Sequence, residues 1–179
     1  VTSIGNYAFY MCDKLQSMEM PDSITTVGER AFSGNTALSS IKFSEGIIKI
    51  APYSFYNCVS LTSVSIPKGV TVIDDYAFSG CVGLSAINLP EGLQQINTRA
   101  FYHCGLISAT IPAKCSVIES YAFAENTVLK EVLLPEGISE IGAYCFQNCD
   151  ALSSIKLPDS VESIGTNMLK AAMLCLKYI

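Results

Sequence analysis

The 179-residue sequence is short of charge, with only 15% charged residues, no tryptophan and a single histidine. An ordinary soluble domain carries about 25% charged residues. The 11 basic and 16 acidic side chains leave a net charge of −5, and no basic cluster is present. Because binding to nucleic acid depends on neutralising phosphates, no nucleic-acid partner is expected. Since 50% of the residues are hydrophobic, intrinsic disorder is excluded as well.

Long hydrophobic runs are also missing. A membrane-spanning helix needs about 18 or more consecutive apolar residues, and the most apolar stretch, residues 168–179, is interrupted by Lys170 and Lys177. No signal peptide or lipidation motif is visible. The sequence opens at Val1 in the middle of a repeated pattern. We therefore expect a processed or trimmed piece of a longer protein, with no membrane span in this segment.

The sequence does contain one unit written eight times. An aliphatic residue opens each unit, and successive openings lie 23 residues apart except for one interval of 22. The openings are Ile4, Val27, Ile50, Ile73, Ile96, Ile118, Ile141 and Ile164. A phenylalanine follows five positions later in seven units, from Phe9 to Phe146, and Leu169 takes this position in the last. The missing residue lies between Cys104 and Leu106. This register indicates a repeat protein.

Each unit contains a strand pattern and a turn pattern. Leu-x-x-Ile-x-Ile, as in Leu61, Val64 and Ile66, alternates with period two and predicts a short strand. A proline ends this strand in six units, because proline cannot donate to a ladder. Pro-Glu-Gly, as in Pro90 to Gly92, predicts a turn whose glycine is free to adopt a positive φ. The apolar pair that follows returns the chain to the core.

One such unit cannot bury its own apolar face, whereas stacked units cover each other. We therefore predict a right-handed solenoid that is mostly β-strand and loop, with little helix. Each repeat of about 23 residues contributes one parallel β-strand and a second short extended segment. Residues 1–179 form a single domain of about eight units of 22–23 residues, the first and last incomplete.

Eight cysteines in a short chain suggest a disulfide framework, but the repeat register favours another interpretation. Five of them share the position three residues after the phenylalanine, where two units carry Asn35 and Asn126. These five are Cys12, Cys58, Cys81, Cys104 and Cys149. The others, Cys115, Cys145 and Cys175, replace residues of a buried type. We predict buried free thiols rather than disulfides or a metal site, and asparagines that bond to the backbone of a neighbouring coil.

The known catalytic motifs are missing from the sequence. His103 precedes Cys104, which is the residue pair of a cysteine–histidine nucleophile. In other units the position of His103 holds Met11, Asn57, Gly80 and Asn148. An exposed turn residue is therefore the interpretation we favour. Asp74 and Asp75 are adjacent in a loop and lack the opposed geometry of paired catalytic carboxylates. We expect no enzyme, no cofactor and no metal site.

Outward positions of a solenoid align in columns that form its binding surface. The strand column lies between the two apolar strand residues and consists of Glu19, Lys42, Ser65, Asn88, Thr110, Leu133 and Lys156. The column two residues earlier consists of Ser17, Ser40, Ser63, Ala86, Ser108, Glu131 and Ser154. Together they predict a flat, hydroxyl-rich face. This face is either a binding surface or simply the wet side of a parallel sheet, which is the plainer interpretation.

A second candidate column precedes the Ala-Phe pair. It consists of Tyr7, Arg30, Tyr53, Tyr76, Arg99, Tyr121 and Tyr144, followed by Asn167. Tyrosine and arginine are enriched in binding hot spots, but the same side chains can stack on each other to cover the edge of the core. We favour the covering role and keep partner binding as the alternative.

Several positions of every unit match a known repeat family. Residues 141–149 (Ile-Gly-Ala-Tyr-Cys-Phe-Gln-Asn-Cys) and 152–161 (Leu-Ser-Ser-Ile-Lys-Leu-Pro-Asp-Ser-Val) resemble the BspA-like, or Treponema pallidum-type, leucine-rich repeats. The resemblance runs from Val1 to about Lys170; Ser44 in place of proline and Leu169 in place of phenylalanine are departures. It implies a curved leucine-rich repeat solenoid. Members are commonly surface or secreted proteins of host-associated bacteria and some parasitic protists, and several are adhesins.

Together, the sequence and the resemblance predict a non-enzymatic protein-binding scaffold. It would be the repeat region of a cell-surface or secreted adhesin, with a host extracellular-matrix or surface protein as ligand. A spacer with no ligand of its own is the alternative. An uncovered apolar solenoid end recruits neighbours, so we expect either that residues 168–179 cap the last coil or that the chain associates end to end.

Overall fold

The computed structural model describes residues 1–170. Most of the predicted cap (residues 168–179) and the position of Cys175 fall on residues 171–179, outside the described residues. Within residues 1–170 the chain forms fourteen short strands and no helix. In chain order they are β1 (Ser3–Ile4), β2 (Ser17–Glu19), β3 (Thr26–Val27), β4 (Ser40–Lys42), β5 (Lys49–Ile50), β6 (Ser63–Ser65), β7 (Val72–Ile73), β8 (Ala86–Asn88), β9 (Gln95–Ile96), β10 (Ser108–Thr110), β11 (Val117–Ile118), β12 (Glu131–Leu133), β13 (Glu140–Ile141) and β14 (Ser163–Ile164).

All strand pairs are parallel and join one unit to the next. For example, Ser63 of β6 lies opposite Ala86 of β8. The predicted β-solenoid is thereby confirmed. The segment predicted as merely extended forms the longer sheet, with strand order β14-β13-β11-β9-β7-β5, which we call the return sheet. The predicted strands pair only two by two, as β2–β4, β6–β8 and β10–β12. Their outward side chains form the strand face. The predicted strand at residues 152–157 is not formed, and the corresponding segment of the next unit lies beyond residue 170.

A column of phenylalanines forms the centre of the solenoid. Phe32, Phe55, Phe78, Phe101, Phe123 and Phe146 are fully buried. From Phe9 onward, neighbouring ring centroids lie 5.0–5.7 Å apart with nearly parallel planes. Each ring therefore covers the ring of the next coil, as the stacking of incomplete units requires.

The proline turns differ in detail from the prediction. Proline is the first residue of the turn, since the amide of Val70 donates to the carbonyl of Pro67 at 3.1 Å. Glycine thus occupies the third position of a turn that needs no positive φ there, and the only positive-φ glycines among the described residues are Gly34 and Gly80. The prediction that the turn glycine uses a positive φ is therefore wrong. Small size matters instead, because a Cβ at Gly137 would lie 2.6 Å from the carbonyl oxygen of Ala113.

Left-handed backbone occurs in two other columns. All eight residues of the tyrosine–arginine column, Asn167 included, have φ between 54° and 59°. The second column lies four residues later and includes His103 and Asn148. Non-glycine residues rarely adopt this conformation. Here it directs each amide to the next coil, as Tyr53 N donates to Asp75 O at 2.9 Å and Asn57 N to Ser79 O at 2.8 Å.

The buried cysteines bond to the backbone. The thiols of Cys58, Cys81, Cys104 and Cys149 each donate to a phenylalanine carbonyl of the preceding coil at 3.1–3.2 Å. Burial raises the pKa of Cys58, Cys104 and Cys149 to about 12. All seven described cysteines are free, as predicted. Cys12 is exposed, so the prediction of a buried thiol is wrong at this position.

Asparagine takes over the same position, as the sequence predicts. Asn126 is fully buried and its Nδ2 donates to the carbonyls of Phe101 and Phe123, both at 2.8 Å. Its Oδ1 accepts the amide of Leu106 at 3.3 Å. Leu106 directly follows the one-residue deletion, so Asn126 of the sixth unit supplies the acceptor that the shortened fifth unit lacks.

Candidate binding surfaces

The strand face brings the predicted strand column together in register. Glu19 lies opposite Lys42, Ser65 opposite Asn88, and Thr110 opposite Leu133. All seven members, with Lys156 in the seventh unit, are exposed. Alternation explains this, because the residue between the two outward side chains of each strand points to the core.

Charge on the strand face is confined to its two ends. Lys42 forms an ion pair with Glu19, and this contact, above all its hydrogen bond, lowers the pKa of Glu19 and raises that of Lys42. From Ser63 to Thr110 the strands carry only neutral, mostly small side chains. Leu133 is 51% exposed and Ile107, just before β10, is 48% exposed. The middle of the face is therefore smooth and uncharged, with aliphatic groups at its C-terminal side.

The tyrosine–arginine column is a continuous ladder in space. Tyr53 stacks on Tyr76 with ring centroids 4.6 Å apart, and Tyr121 stacks on Tyr144 at 4.8 Å. Two arginines fill the gaps. The guanidinium of Arg30 lies 4.1 Å from the ring centroid of Tyr53 and 5.8 Å from that of Tyr7. That of Arg99 lies 4.6 Å from Tyr121 and 5.4 Å from Tyr76. These distances are typical of cation–π contacts.

The ladder presents edges and hydroxyls to solvent rather than ring faces. Arg30 Nη1 donates to the hydroxyl of Tyr7 at 3.1 Å. This hydrogen bond is the main reason why the pKa of Arg30 is raised. Burial raises the pKa of Tyr53. Three tyrosines missed by the sequence argument, Tyr10, Tyr56 and Tyr102, lie beside the ladder, with Tyr53 and Tyr56 edge to face at 5.8 Å. Apart from Tyr7 and Asn167, ladder members are half-buried, and neighbours occupy most of their ring faces.

A polar network on the return sheet was not anticipated from the sequence. Asp74 is buried and accepts hydrogen bonds from Lys49 Nζ at 2.6 Å and Asn97 Nδ2 at 2.7 Å. Burial raises the pKa of Asp74, but these bonds and that of the Asp75 amide outweigh it, so the pKa lies below its usual value. In the next coil Glu119 accepts from Gln95 Nε2 at 2.8 Å. The available signal was the register, which places Asp74, Asn97 and Glu119 where other units carry Gly or Ala.

One cavity of about 370 Å³ opens beside this network. It is lined by Gln95, Val117, Glu119, Ser120, Glu140 and Gly142. Gln95, Val117 and Glu140 are consecutive partners across β9, β11 and β13. Both carboxylate oxygens of Glu119 face the fifth unit. Oε1 accepts the bond from Gln95, and Oε2 accepts hydrogen bonds from the amide and the hydroxyl of Thr98 at 3.1 and 2.8 Å. The backbone of Gly142 in the next coil completes the lining, which includes Glu119 and Glu140.

Reactive side chains do not converge in the described part of the chain. Within residues 1–170 no three His, Cys, Asp or Glu side chains are arranged to hold a metal. His103 is an exposed turn residue with a left-handed φ of 53°. Cys104 beside it points inward, and burial raises its thiol pKa to about 12. Over the same residues, no helix is long and apolar enough to cross a membrane.

The comparisons with known proteins agree on a single family. The family described as BspA type leucine rich repeat region matches residues 1–73 and 48–174, in 6 copies. A leucine-rich repeat protein from Bacteroides ovatus is 31% identical, with a TM-score of 0.71 over 95% of this chain. The leucine rich repeat protein of T. pallidum is 29% identical, with a TM-score of 0.63 over 92% of this chain. No curated protein matches.

A third similar structure is a leucine rich cell surface protein from Faecalibacterium prausnitzii. It is 28% identical, with a TM-score of 0.61 over 94% of this chain. The chain spans only part of these relatives, namely 38% of the Bacteroides protein, 67% of the T. pallidum protein and 62% of the Faecalibacterium protein. The repeat solenoid is what they share with it.

Proposed function

Because the chain belongs to the BspA-type leucine-rich repeat family, we propose that it is a non-enzymatic scaffold that binds a protein partner through its strand face. The observation that carries this proposal is the register of the strand column, whose members are exposed and aligned over successive coils. Leucine-rich repeats generally mediate protein interactions, and solenoids use such extended surfaces for them.

We further propose that the protein acts as an adhesin at the cell surface or outside the cell. One similar protein is described as a leucine rich cell surface protein. A smooth neutral face with aliphatic groups at one side can dock a protein without removing many charges from water. The partner we propose is a host extracellular-matrix protein or a surface protein of a neighbouring cell.

The experiment compares two double variants of equal added charge. Ser65→Arg with Asn88→Arg places two guanidinium groups at paired positions of the strand face. Ile48→Arg with Gln94→Arg places two at exposed positions beside the return sheet. Binding to a panel of immobilised extracellular-matrix proteins is measured by biolayer interferometry. We expect the first variant to lose binding about tenfold or more and the second to retain it, with unchanged thermal unfolding.

Other outcomes separate the alternatives. A folded chain that binds no member of the panel would favour a spacer that displays another domain. If binding survives both double variants but is lost in the variant Tyr53→Ala with Tyr121→Ala, the binding site is the ladder and not the strand face. End-to-end association of the chain remains a prediction, and a monomeric sedimentation profile at all protein concentrations would contradict it.

A further inference from the structure

The cavity on the return sheet is a site of its own, on a different side of the coil from the strand face. Its floor is Val117 and the backbone of Gly142, while Glu119 with Gln95 and the side chain of Glu140 form two opposite walls. A volume of about 370 Å³ falls within the range of ligand pockets, which is about 300–1,000 Å³. The cavity is therefore large enough for one extended side chain of a partner.

The space is fixed by the fold. A Cβ added at Gly142 would lie 2.3 Å from the amide nitrogen of Ser120 and 2.5 Å from the carbonyl carbon of Glu119. No side chain can therefore occupy that position without displacing the preceding coil. Glu119 lines the cavity, and its carboxylate is held toward the fifth unit by three hydrogen bonds to Gln95 and Thr98. The backbone of Gly142, packed closely on the preceding coil, and the bonded side chain of Glu119 are therefore fixed parts of the cavity lining.

The two glutamates that line the cavity take part in no ion pair of the described residues. The three ion pairs of residues 1–170 join Arg30 to Glu29, Lys42 to Glu19 and Lys49 to Asp74. Glu119 and Glu140 belong to none of them. Asp75, near the same network, has a raised pKa because of burial and then because of the negative charges of Asp74 and Glu119. Lys49 compensates Asp74, whereas Glu119 and Glu140 have no ion-pair partner among residues 1–170.

We propose that this cavity receives the basic side chain of a protein partner, an arginine or a lysine. The apolar floor suits the aliphatic stem of such a side chain, which packs along apolar surface while its charged end stays near polar groups. Glu140 faces the head group as a carboxylate that no cation of residues 1–170 pairs with, and Ser120 adds a hydroxyl at the same cavity. The proposal is independent of binding at the strand face, so either can fail without the other.

The test uses a capped Gly-Arg-Gly peptide and the neutral isostere Gly-citrulline-Gly. Binding to the 179-residue chain is followed by NMR at low salt. We expect saturable shifts of the Gly142 and Ser120 amides with the arginine peptide, and at least about fivefold weaker binding of the citrulline peptide. This factor corresponds to about 1 kcal/mol, the interaction of two unit charges about 4 Å apart in water. Added salt weakens the binding.

The matched variants are Glu140→Gln and Glu136→Gln. Both remove one exposed carboxylate of the same unit, but Glu136 lies in the proline turn and does not line the cavity. We expect Glu140→Gln to weaken the arginine peptide about fivefold and Glu136→Gln to leave it unchanged. Equal affinity of the citrulline peptide, equal effects of both variants, or shifts spread over the acidic turns would overturn the proposal.

Discussion

The phenylalanine column and the tyrosine–arginine ladder run side by side, two residues apart in every unit. They differ in which residue types occupy them. Neighbouring rings lie 5.0–5.7 Å apart in the inner column, and the tyrosine pairs outside lie at 4.6 and 4.8 Å. The inner column is phenylalanine from Phe9 to Phe146, whereas the outer one changes between tyrosine, arginine and asparagine. Coil spacing enforces stacking in both columns, so burial rather than stacking selects the residue.

The strongest test of this difference removes one ring from each column. We expect Phe78→Ala to lower the free energy of unfolding by about 3–5 kcal/mol, since a fully buried ring leaves a cavity. Tyr76→Ala, two residues away, is expected to cost about 1 kcal/mol, the order of one aromatic pair. Urea denaturation at constant m-value measures both. Equal losses would mean that the ladder contributes to the core like the phenylalanines.

The close approach of neighbouring coils can be tested by replacing glycines with alanine. We expect Gly142→Ala to lower the free energy of unfolding by about 1–3 kcal/mol, because the added Cβ would meet the preceding coil at 2.3 Å. Gly5→Ala occupies the same position of the first unit, where nothing lies within 4 Å. The thermal unfolding temperature of Gly5→Ala should lie close to that of the parent protein. A tolerated Gly142→Ala would show that the coils separate at little cost.

Hydrogen bonding in the inner region can be tested at two equivalent asparagines. We expect Asn126→Cys to cost about 1–2 kcal/mol, because the amide of Leu106 loses its acceptor. Asn35 accepts only the amide of Cys12 at 2.7 Å, and its buried Nδ2 has no partner among the described residues. Asn35→Cys should therefore change stability by less than about 0.5 kcal/mol or increase it. A reversal of this order in urea denaturation would contradict the role assigned to Asn126.

The smallest effects are expected on the return sheet, at two adjacent aspartates whose pKa values shift in opposite directions. The lowered pKa of Asp74 stabilises the fold above the usual aspartate pKa, and this is lost as the pH falls through the lowered value. The raised pKa of Asp75 acts in reverse, since its charged form destabilises the fold at neutral pH. Asp74→Asn should destabilise and Asp75→Asn stabilise at pH 7, each by about 1 kcal/mol or less, because Lys49 is largely exposed and solvent screens its pair with Asp74.

The two aspartate effects should converge at acidic pH, where both carboxyls are protonated. Thermal unfolding from pH 7 downward measures this convergence. Shifts of equal sign for the two variants at pH 7 would show that the network around Lys49 does not distinguish them. High salt provides a control, because screening should reduce both shifts.

The repeat register predicted the parts of the molecule that depend on which residue recurs. It aligned the phenylalanines of successive units and placed the cysteines and asparagines at one buried position. It did not reveal the left-handed backbone, because Tyr53 and Arg99 are not residues that favour positive φ on their own. The signal was present only in the column four residues later, where Gly34 and Asn57 alternate.

The cavity on the return sheet could not be predicted in the same way. The register aligns Glu119 with Gly142, but it does not give the direction of the Glu119 side chain, whose hydrogen bonds fix one part of the cavity lining. That direction depends on Thr98 in the preceding coil. Contacts between different side chains of successive units are not periodic, so a consensus cannot contain them.

The bond from Leu106 to Asn126 sets a rule for how this array can change in length. Units joined only by repeated contacts can be duplicated or removed singly, because every junction is equivalent. The fifth and sixth units are not exchangeable in this sense, since the shortened one relies on the asparagine of its neighbour. They form one module of 45 residues, from Ile96 to Glu140, which has to be copied, moved or lost as a whole.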